Sequence, residues 1–296
     1  MLRQVQHPCV ARLVASFKYK EGAFLVAELA SRGDLHTHVV RLGAVSVAAA
    51  RFIAGELVCS LAAVHALGFA FGDLKPENVL LTGAGHAKLT DFGAVRPCCL
   101  EGEALLEAAG DVFGSLRDGG WREELVPRGL GEGGGLVPQA LREAADGSKI
   151  ENVDALHGDA GRNSAPTDTV SAVGHQDDRL EGTAAYMAPE LARGGRPNPA
   201  SDAWALGCLV YFMLAGRPPM WADSDTAVLD RVVRFNTRDM DELFPDDFPP
   251  DARDLVSSLL VRNPARRLGG GEGAGMREIA MHHFFHPLRS ADGDAH

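Results

Sequence analysis

One short stretch constrains the fold more than any other, because it places four polar side chains at fixed spacings around a predicted hairpin. Asp73, Lys75 and Asn78 lie within six residues. Residues 79–90 form two apolar runs around a glycine-rich turn, which predicts a β-hairpin. Asp91 follows the hairpin, so the chain should return there to the end of the hairpin at which Asn78 lies.

These side chains suit the transfer of a phosphoryl group from a nucleoside triphosphate. A carboxylate can take the proton of the acceptor hydroxyl, oxygen ligands can hold Mg²⁺, and an ammonium group can contact the transferred phosphate. An isolated Asp-x-Lys-x-x-Asn pattern is weak evidence, because Asp and Asn in loops more often cap helices and turns. Here Asp-Phe-Gly at 91–93 and Ala-Pro-Glu at 188–190 follow it, and the combination is very specific.

On these motifs the chain resembles the eukaryotic protein kinases. The resemblance implies that Asp73 is the catalytic base. It implies that Lys75 contacts the transferred phosphate, as is typical of serine/threonine kinases, and that Asn78 and Asp91 are Mg²⁺ ligands. Thr183 would be the activation-segment threonine that bonds to the Asp73/Lys75 pair.

The C-terminal half narrows the resemblance. Glu190 would pair with the late Arg267, and Asp202 would brace the catalytic loop from below. The segments 182–191 and 251–269 are similar to the 3-phosphoinositide-dependent subfamily of the AGC group. That subfamily implies protein substrates, namely the activation loops of other AGC kinases.

The same resemblance outlines a nucleotide pocket. Ala27 would be the gatekeeper, Glu28–Ala30 the hinge whose backbone meets adenine, and Asp34 a neighbour of the ribose. Leu80 would form the floor, and a plain core role for this leucine is equally compatible. The residues assigned to the cofactor are Ala27, Glu28, Ala30, Asp34, Glu77, Leu80 and Asp91, and the implied cofactors are ATP and Mg²⁺.

The implied fold class is α+β, a two-lobed kinase fold with an incomplete N-lobe and a complete, mainly helical C-lobe. Residues 1–30 would be the remnant of the N-lobe (the end of helix C and strands 4 and 5), 31–290 the C-lobe, and 291–296 a tail. No glycine-rich loop, β3 lysine or helix C glutamate precedes the motifs. We therefore expect an N-terminally truncated kinase of weak activity, or alternatively a pseudokinase that binds or scaffolds without catalysis.

Residues 97–181 differ from the rest in composition. They contain 14 Gly, 17 acidic and 7 basic residues, so they carry −10 of the net charge of −11. Such a segment buries little apolar surface, which predicts a disordered insertion within the activation segment. It could attract basic substrates, block the cleft or have no role. A basic face for nucleic acid is not expected.

The hydrophobic pattern predicts further elements. Strands are expected over 10–17 and 23–29. A long helix is expected over 46–68, with Phe52, Ile53, Leu57, Leu61 and Val64 facing inward. A buried helix is expected over 202–214, an amphipathic helix over 247–260, and a last short helix over 276–285. The apolar run 203–216 is too short for a membrane span, so no membrane segment is expected.

Two residues depart from the family pattern, because Phe71 and Gly72 stand where His and Arg are usual. Phe71 can fill the same hydrophobic space. Gly72 cannot bind an activation-segment phosphate, and Arg179 replaces the usual phosphorylatable serine. We therefore expect the protein to be active without phosphorylation at position 179.

His282, His283 and His286 could bind a metal, but packing and surface roles are the preferred interpretation. The five cysteines are scattered and no secretory signal precedes them, which favours reduced thiols and a cytoplasmic location. The sequence leaves the oligomeric state open.

Overall fold

The computed structural model describes residues 5–19, 22–99, 184–271 and 273–286. The predictions made for Thr183, for Arg179 and for most of the 97–181 segment lie outside these residues. Helices predominate over strands in the described part of the chain, which confirms the α+β class. The strands are β1 Leu13–Tyr19, β2 Gly22–Ala27, β3 Phe69–Ala70, β4 Val79–Leu81, β5 Ala87–Leu89 and β6 Arg96–Pro97.

The described helices form the larger part of the fold, with short 3-10 turns between them. The α-helices are α1 Leu35–Leu42, α2 Val47–His65, α3 Pro189–Ala192, α4 Pro199–Ala215, α5 Asp225–Arg234, α6 Met240–Leu243, α7 Pro250–Leu259 and α8 Met276–Ala280. The 3-10 turns used below are Pro76–Asn78, Phe92–Ala94 and His283–Phe285.

β1 and β2 form an antiparallel hairpin whose strands begin and end differently from the prediction. Phe17 lies opposite Phe24, and their rings stack with centroids 5.2 Å apart. β1 begins at Leu13 rather than at residue 10, because Val10 instead forms a parallel bridge with Leu89. Residues 10 and 11 thus tie the hairpin to β5 and to the helical part of the molecule.

α2 runs as predicted through the core, with one error. Ser46 caps it by accepting the Ala49 N–H. Ile53 and Leu57 are buried, but Phe52 is 38% exposed. Successive helical residues lie about 100° apart, so Phe52 leaves the buried face to which Ile53 belongs.

Among the described helices, α2 meets the length and composition criteria for a membrane-spanning helix. Core helices pass the same test. Glu56 accepts the Ala87 N–H, and Arg51 binds Asp251 of α7 at 2.6 Å. Charged side chains that bind neighbouring elements in this way are those of a packed core helix.

α4 is the central buried helix and begins three residues before the predicted start. Asn198 and Ser201 form a reciprocal capping box that fixes its N-terminus, and Gly216 ends it with φ 74°. A Cβ at Gly207 would lie only 2.8 Å from the Leu259 Cβ. The glycine therefore lets α7 approach α4 closely.

Two C-terminal elements differ from the prediction. α5 was not predicted, although Ser224 caps it and Val228 and Val232, four residues apart, are buried. The last expected helix is divided, because α8 ends at Ala280 and a 3-10 turn replaces its final turns. Burial of Phe284 and Phe285 anchors that turn.

Candidate active site

Asp73, Lys75 and Asn78 meet in the loop between β3 and β4. Lys75 Nζ lies 2.9 Å from Asp73 Oδ2, and Asn78 Nδ2 donates to the same oxygen at 3.0 Å. The Asp73 and Lys75 side chains are 17% and 20% exposed, so both reach the surface from a largely buried loop. Asn78 itself is buried.

The Asn78 amide has a defined orientation. Its Nδ2 donates to the Asp73 main-chain oxygen at 2.8 Å as well as to the Asp73 carboxylate. Both partners are acceptors, so the amide nitrogen must face Asp73. Asn78 Oδ1 remains as an acceptor that can serve a cation.

Asp91 follows β5, at the end of the β4–β5 hairpin opposite its turn, and has a left-handed backbone. Its φ is 56°, and among the described residues it is the one non-glycine with positive φ. Asp tolerates this conformation better than most residues, and its Oδ1 accepts the Gly93 N–H at 3.2 Å. The Thr90 N–H donates to the Asn78 carbonyl at 3.0 Å, so the backbone brings Asp91 next to Asn78.

The loop is held from below by α4. Asp202 is 1% exposed, and its carboxylate accepts the N–H groups of Phe71 and Gly72, each at 2.8 Å. The structure thus contains the brace that was predicted for Asp202. His65, at the end of α2, also contacts this carboxylate, with its Nε2 2.7 Å from Asp202 Oδ2. No local sequence pattern indicates this contact, because the two residues are 137 positions apart.

The two unusual residues of the loop have structural explanations. Phe71 is fully buried and meets Phe92 edge-on, with centroids 5.3 Å apart, which confirms the predicted packing role. Gly72 has φ 82°, and a Cβ there would lie 2.9 Å from the Ala94 carbonyl oxygen. A side chain at position 72 is therefore both conformationally and sterically unfavourable.

Asp34 and Leu80, assigned to the ribose and to the floor of the pocket, lie side by side. They form an antiparallel bridge, and the Leu81 N–H donates to the Gly33 carbonyl at 2.8 Å. The Asp34 carboxylate accepts the Thr37 N–H at 2.7 Å. Partial burial opposes its ionisation, but the hydrogen bonds from Thr37 outweigh this effect and lower the pKa of Asp34.

The predicted hinge is anchored by its glutamate. Glu28 Oε1 accepts the Arg12 N–H at 2.9 Å and lies 2.7 Å from Lys88 Nζ. Among the described residues, the Glu28 carbonyl and the Ala30 amide, which belong to the edge assigned to adenine from the sequence, make no backbone–backbone hydrogen bond. Ala27 ends β2 beside this edge and is exposed.

Glu77 is an exposed residue of the Pro76–Asn78 turn. Its Oε1 is 4.0 Å from Nε2 of His36 on α1. The ring of His36 stacks on Phe212 with centroids 5.7 Å apart. Glu77, which was assigned to the cofactor, therefore lies beside α1.

The pairing predicted for Glu190 is present. Arg267 donates to both carboxylate oxygens of Glu190, at 2.7 and 3.0 Å. Its guanidinium also donates to the Val261 and Ala200 carbonyls and lies over the Trp204 ring, 5.2 Å from the centroid. The Ala-Pro-Glu segment is thereby fixed to α4.

Comparison with known proteins agrees with this geometry. The family model described as "Protein kinase domain" matches residues 1–108 and 168–285. The chain is 30% identical over 286 residues to a "Probable serine/threonine protein kinase IRE" of Arabidopsis thaliana, covering 96% of this chain and 20% of the relative. It is 29% and 25% identical, each over 285 residues, to a "3-phosphoinositide-dependent protein kinase 1" of Arabidopsis thaliana and of Homo sapiens.

These two alignments cover 96% of this chain, and 44% and 38% of the respective relatives. The chain therefore spans less than half the length of these three relatives. The family match covers most of the chain and includes both halves of the site, from Asp73 to Asp91 and from Ala184 to Arg267. From the match and the geometry together, the chain belongs to the protein kinase family.

Proposed function

We propose that this chain is a serine/threonine protein kinase that transfers the γ-phosphoryl group of ATP to hydroxyl groups of protein substrates. The observation that carries the proposal is the convergence of Lys75 Nζ and Asn78 Nδ2 on Asp73 Oδ2, at 2.9 and 3.0 Å. Two donors on one oxygen fix the orientation of the carboxylate. The other oxygen remains for a substrate hydroxyl.

Each residue of the loop then has a chemical task. Asp73 accepts the proton of the serine or threonine hydroxyl. The hydroxyl oxygen of the substrate then forms a bond to the γ-phosphorus, and the bond between that phosphorus and the oxygen that bridges it to the β-phosphate breaks. Lys75 can hold the transferred group while it stays paired with Asp73. Most of the rate gain in such a reaction comes from positioning and electrostatics, which explains why the loop is braced by Asp202.

The chemistry of the donors fits Mg²⁺. Asn78 Oδ1 and the Asp91 carboxylate are hard oxygen ligands of the kind that Mg²⁺ prefers. Asn78 turns its Nδ2 toward Asp73, so its oxygen is the atom left for the cation. When bound, Mg²⁺ would neutralise phosphate charge, and Asn78 and Asp91 would be its ligands in the chain.

For the substrates, the proposal is activation loops of other AGC kinases. Its support is the resemblance of residues 182–191 and 251–269 to the 3-phosphoinositide-dependent subfamily, to which the names of two of the relatives above correspond. Gly72 leaves the loop without an arginine for an activation-segment phosphate. The activity of the proposed kinase therefore does not depend on a phosphate at the activation-segment position that Arg179 occupies.

The test measures ADP release and peptide phosphorylation by the purified chain with MgATP and a peptide from an AGC activation loop. Asp73→Asn should lower turnover by about 10²–10⁴-fold and leave the melting temperature unchanged. Asp230→Asn, an exposed carboxylate on α5, is the matched control and should retain wild-type turnover. Equal turnover in wild type and Asp73→Asn would refute the proposal. Mg²⁺-dependent ATP binding without turnover in wild type would support a non-catalytic binding protein instead.

A further inference from the structure

Three side chains with metal-binding atoms meet where α7 faces the final 3-10 turn. Asp254 lies on α7, and His282 and His283 lie at the start of the turn. One donor atom from each residue lies within 4.8 Å of the other two. We propose that Asp254, His282 and His283 form a binding site for a Zn²⁺ ion, separate from the phosphoryl-transfer site.

The distances are close to those that a tetrahedral ion requires. Asp254 Oδ2 lies 3.1 Å from His282 Nε2 and 3.6 Å from His283 Nδ1. With metal–ligand bonds of about 2.0–2.2 Å, two ligand atoms on one tetrahedral Zn²⁺ lie about 3.3 Å apart. The two histidine nitrogens lie within 4.8 Å of each other, so side-chain rotation is needed to bring all three donors to that spacing.

The donor types also suit this ion. Imidazole nitrogen and carboxylate oxygen are ordinary Zn²⁺ ligands, and three protein ligands leave a fourth position for water. His282 Nε2 and His283 Nδ1 both face Asp254 Oδ2, and the two rings stack with centroids 4.4 Å apart. His282 is nearly buried, whereas Asp254 and His283 are exposed, so an ion can enter from solvent.

The backbone that carries these ligands is fixed by the core. Phe284 and Phe285 are buried beside the histidines, and Leu255 is buried beside Asp254. Arg51 of α2 binds both elements, since its guanidinium donates to Asp251 at 2.6 Å and to the Phe284 carbonyl at 2.5 Å. Rigid supports of this kind reduce the ordering cost of binding.

Metal binding has a defined proton balance at His282. Its Nδ1 accepts the Phe284 N–H at 3.2 Å, so the ring proton lies on Nε2 and is donated to Asp254. The ion would take the place of this proton at Nε2. The neutral ring would then carry its proton on Nδ1, which could no longer accept the Phe284 N–H, so the ring would have to turn away from that N–H as the ion binds.

The test uses the full chain without an affinity tag, titrated with ZnCl₂ by calorimetry and with Co²⁺ as a spectroscopic probe. We expect one ion per chain and the strong visible absorption of tetrahedral Co²⁺. Asp254→Asn and His283→Asn should each weaken binding by at least about tenfold. His38→Asn, on α1, is the control and should bind as wild type does.

Both substituted residues are exposed, so the variants should fold normally, which circular dichroism would verify. Zn²⁺ should raise the melting temperature of wild type and of His38→Asn more than that of the two site variants, because an ion that binds the folded state stabilises it. A wild-type chain that binds no Zn²⁺, or an Asp254→Asn chain that binds it as tightly as wild type, would overturn the proposal.

Discussion

Arg267 and Glu190, 77 residues apart in the sequence, form a two-pronged ion pair with N–O distances of 2.7 and 3.0 Å. Arg267 is 2% exposed, and this partner and two backbone carbonyls satisfy its buried guanidinium. The pair joins the segment that follows the activation region to the C-terminal part of the helical core.

Removal of this arginine should destabilise the fold strongly. Arg267→Ala leaves the Glu190 carboxylate without its partner in a mostly buried place, and we expect a loss of about 3–5 kcal/mol in the free energy of unfolding. Urea unfolding followed by circular dichroism measures it. Arg266→Ala, at the exposed neighbouring position, should change stability by no more than about 0.5 kcal/mol. Similar losses in the two variants would contradict the role of the pair.

Asp202 should act on turnover by positioning the loop. Asp202→Asn keeps the shape but turns a donor toward one of the two loop amides, Phe71 or Gly72. We expect turnover to fall about 100-fold with the KM for ATP little changed, because the nucleotide contacts lie elsewhere. Steady-state kinetics measure turnover and the KM for ATP separately, and Asp230→Asn serves as the control. A raised KM at constant turnover would show that Asp202 does not act through the loop.

Gly72 should resist substitution more than another glycine of the same backbone type. Positive φ costs an L-residue about 1–2 kcal/mol, and this cost applies to Gly72→Ala and to Gly85→Ala alike. At Gly72 the new Cβ also meets the Ala94 carbonyl oxygen at 2.9 Å, whereas at Gly85 nothing lies within 4 Å. Gly72→Ala should therefore lose about 1–3 kcal/mol more in urea unfolding. Equal losses would mean that the loop can relax.

The Glu28–Lys88 pair should make stability depend on acidity. The hydrogen bond from Lys88 lowers the pKa of Glu28 below its ordinary 4.5, against the opposing effect of partial burial. The folded state then binds fewer protons, so this stabilisation is complete above about pH 4.5 and is lost as the pH falls through the folded pKa.

Glu28→Gln removes this contribution and leaves the fold otherwise unchanged. The variant should be less stable than wild type by up to about 1 kcal/mol at pH 7, and the difference should shrink at pH 3. Urea unfolding at both values measures it, with Asp247→Asn, an exposed carboxylate, as control. A difference that is unchanged at pH 3 would rule out the ion pair as its source.

Local patterns predicted the elements whose signals lie within one segment. The β4–β5 hairpin follows from its glycine-rich turn, and α7 follows from Leu255 and Leu259 at helical spacing. The predicted bounds were wrong where a residue far away in the sequence provides the pairing partner. Val10 pairs with Leu89 rather than extending β1, and no pattern within residues 10–19 contains that information.

The polar residues divide in the same way. The spacing of Asp73, Lys75 and Asn78 was sufficient to group them, because six residues of one loop cannot lie far apart. The contact of His65 with Asp202 spans 137 residues, and only the packing of α2 against α4 creates it. The roles assigned to Thr183 and to the cofactor residues stay predictions.

The sequence by itself determined which polar residues are grouped in the Asp73–Asn78 loop and the type of most elements, because both depend on neighbours along the chain. The tertiary structure alone decided the contacts that hold this loop: His65 on Asp202, Phe92 edge-on against Phe71, and the left-handed backbone of Asp91. Burial and close packing bring residues together from separate helices, and they decide which hydrogen bonds exclude water. That is long-range information, which no local spacing contains.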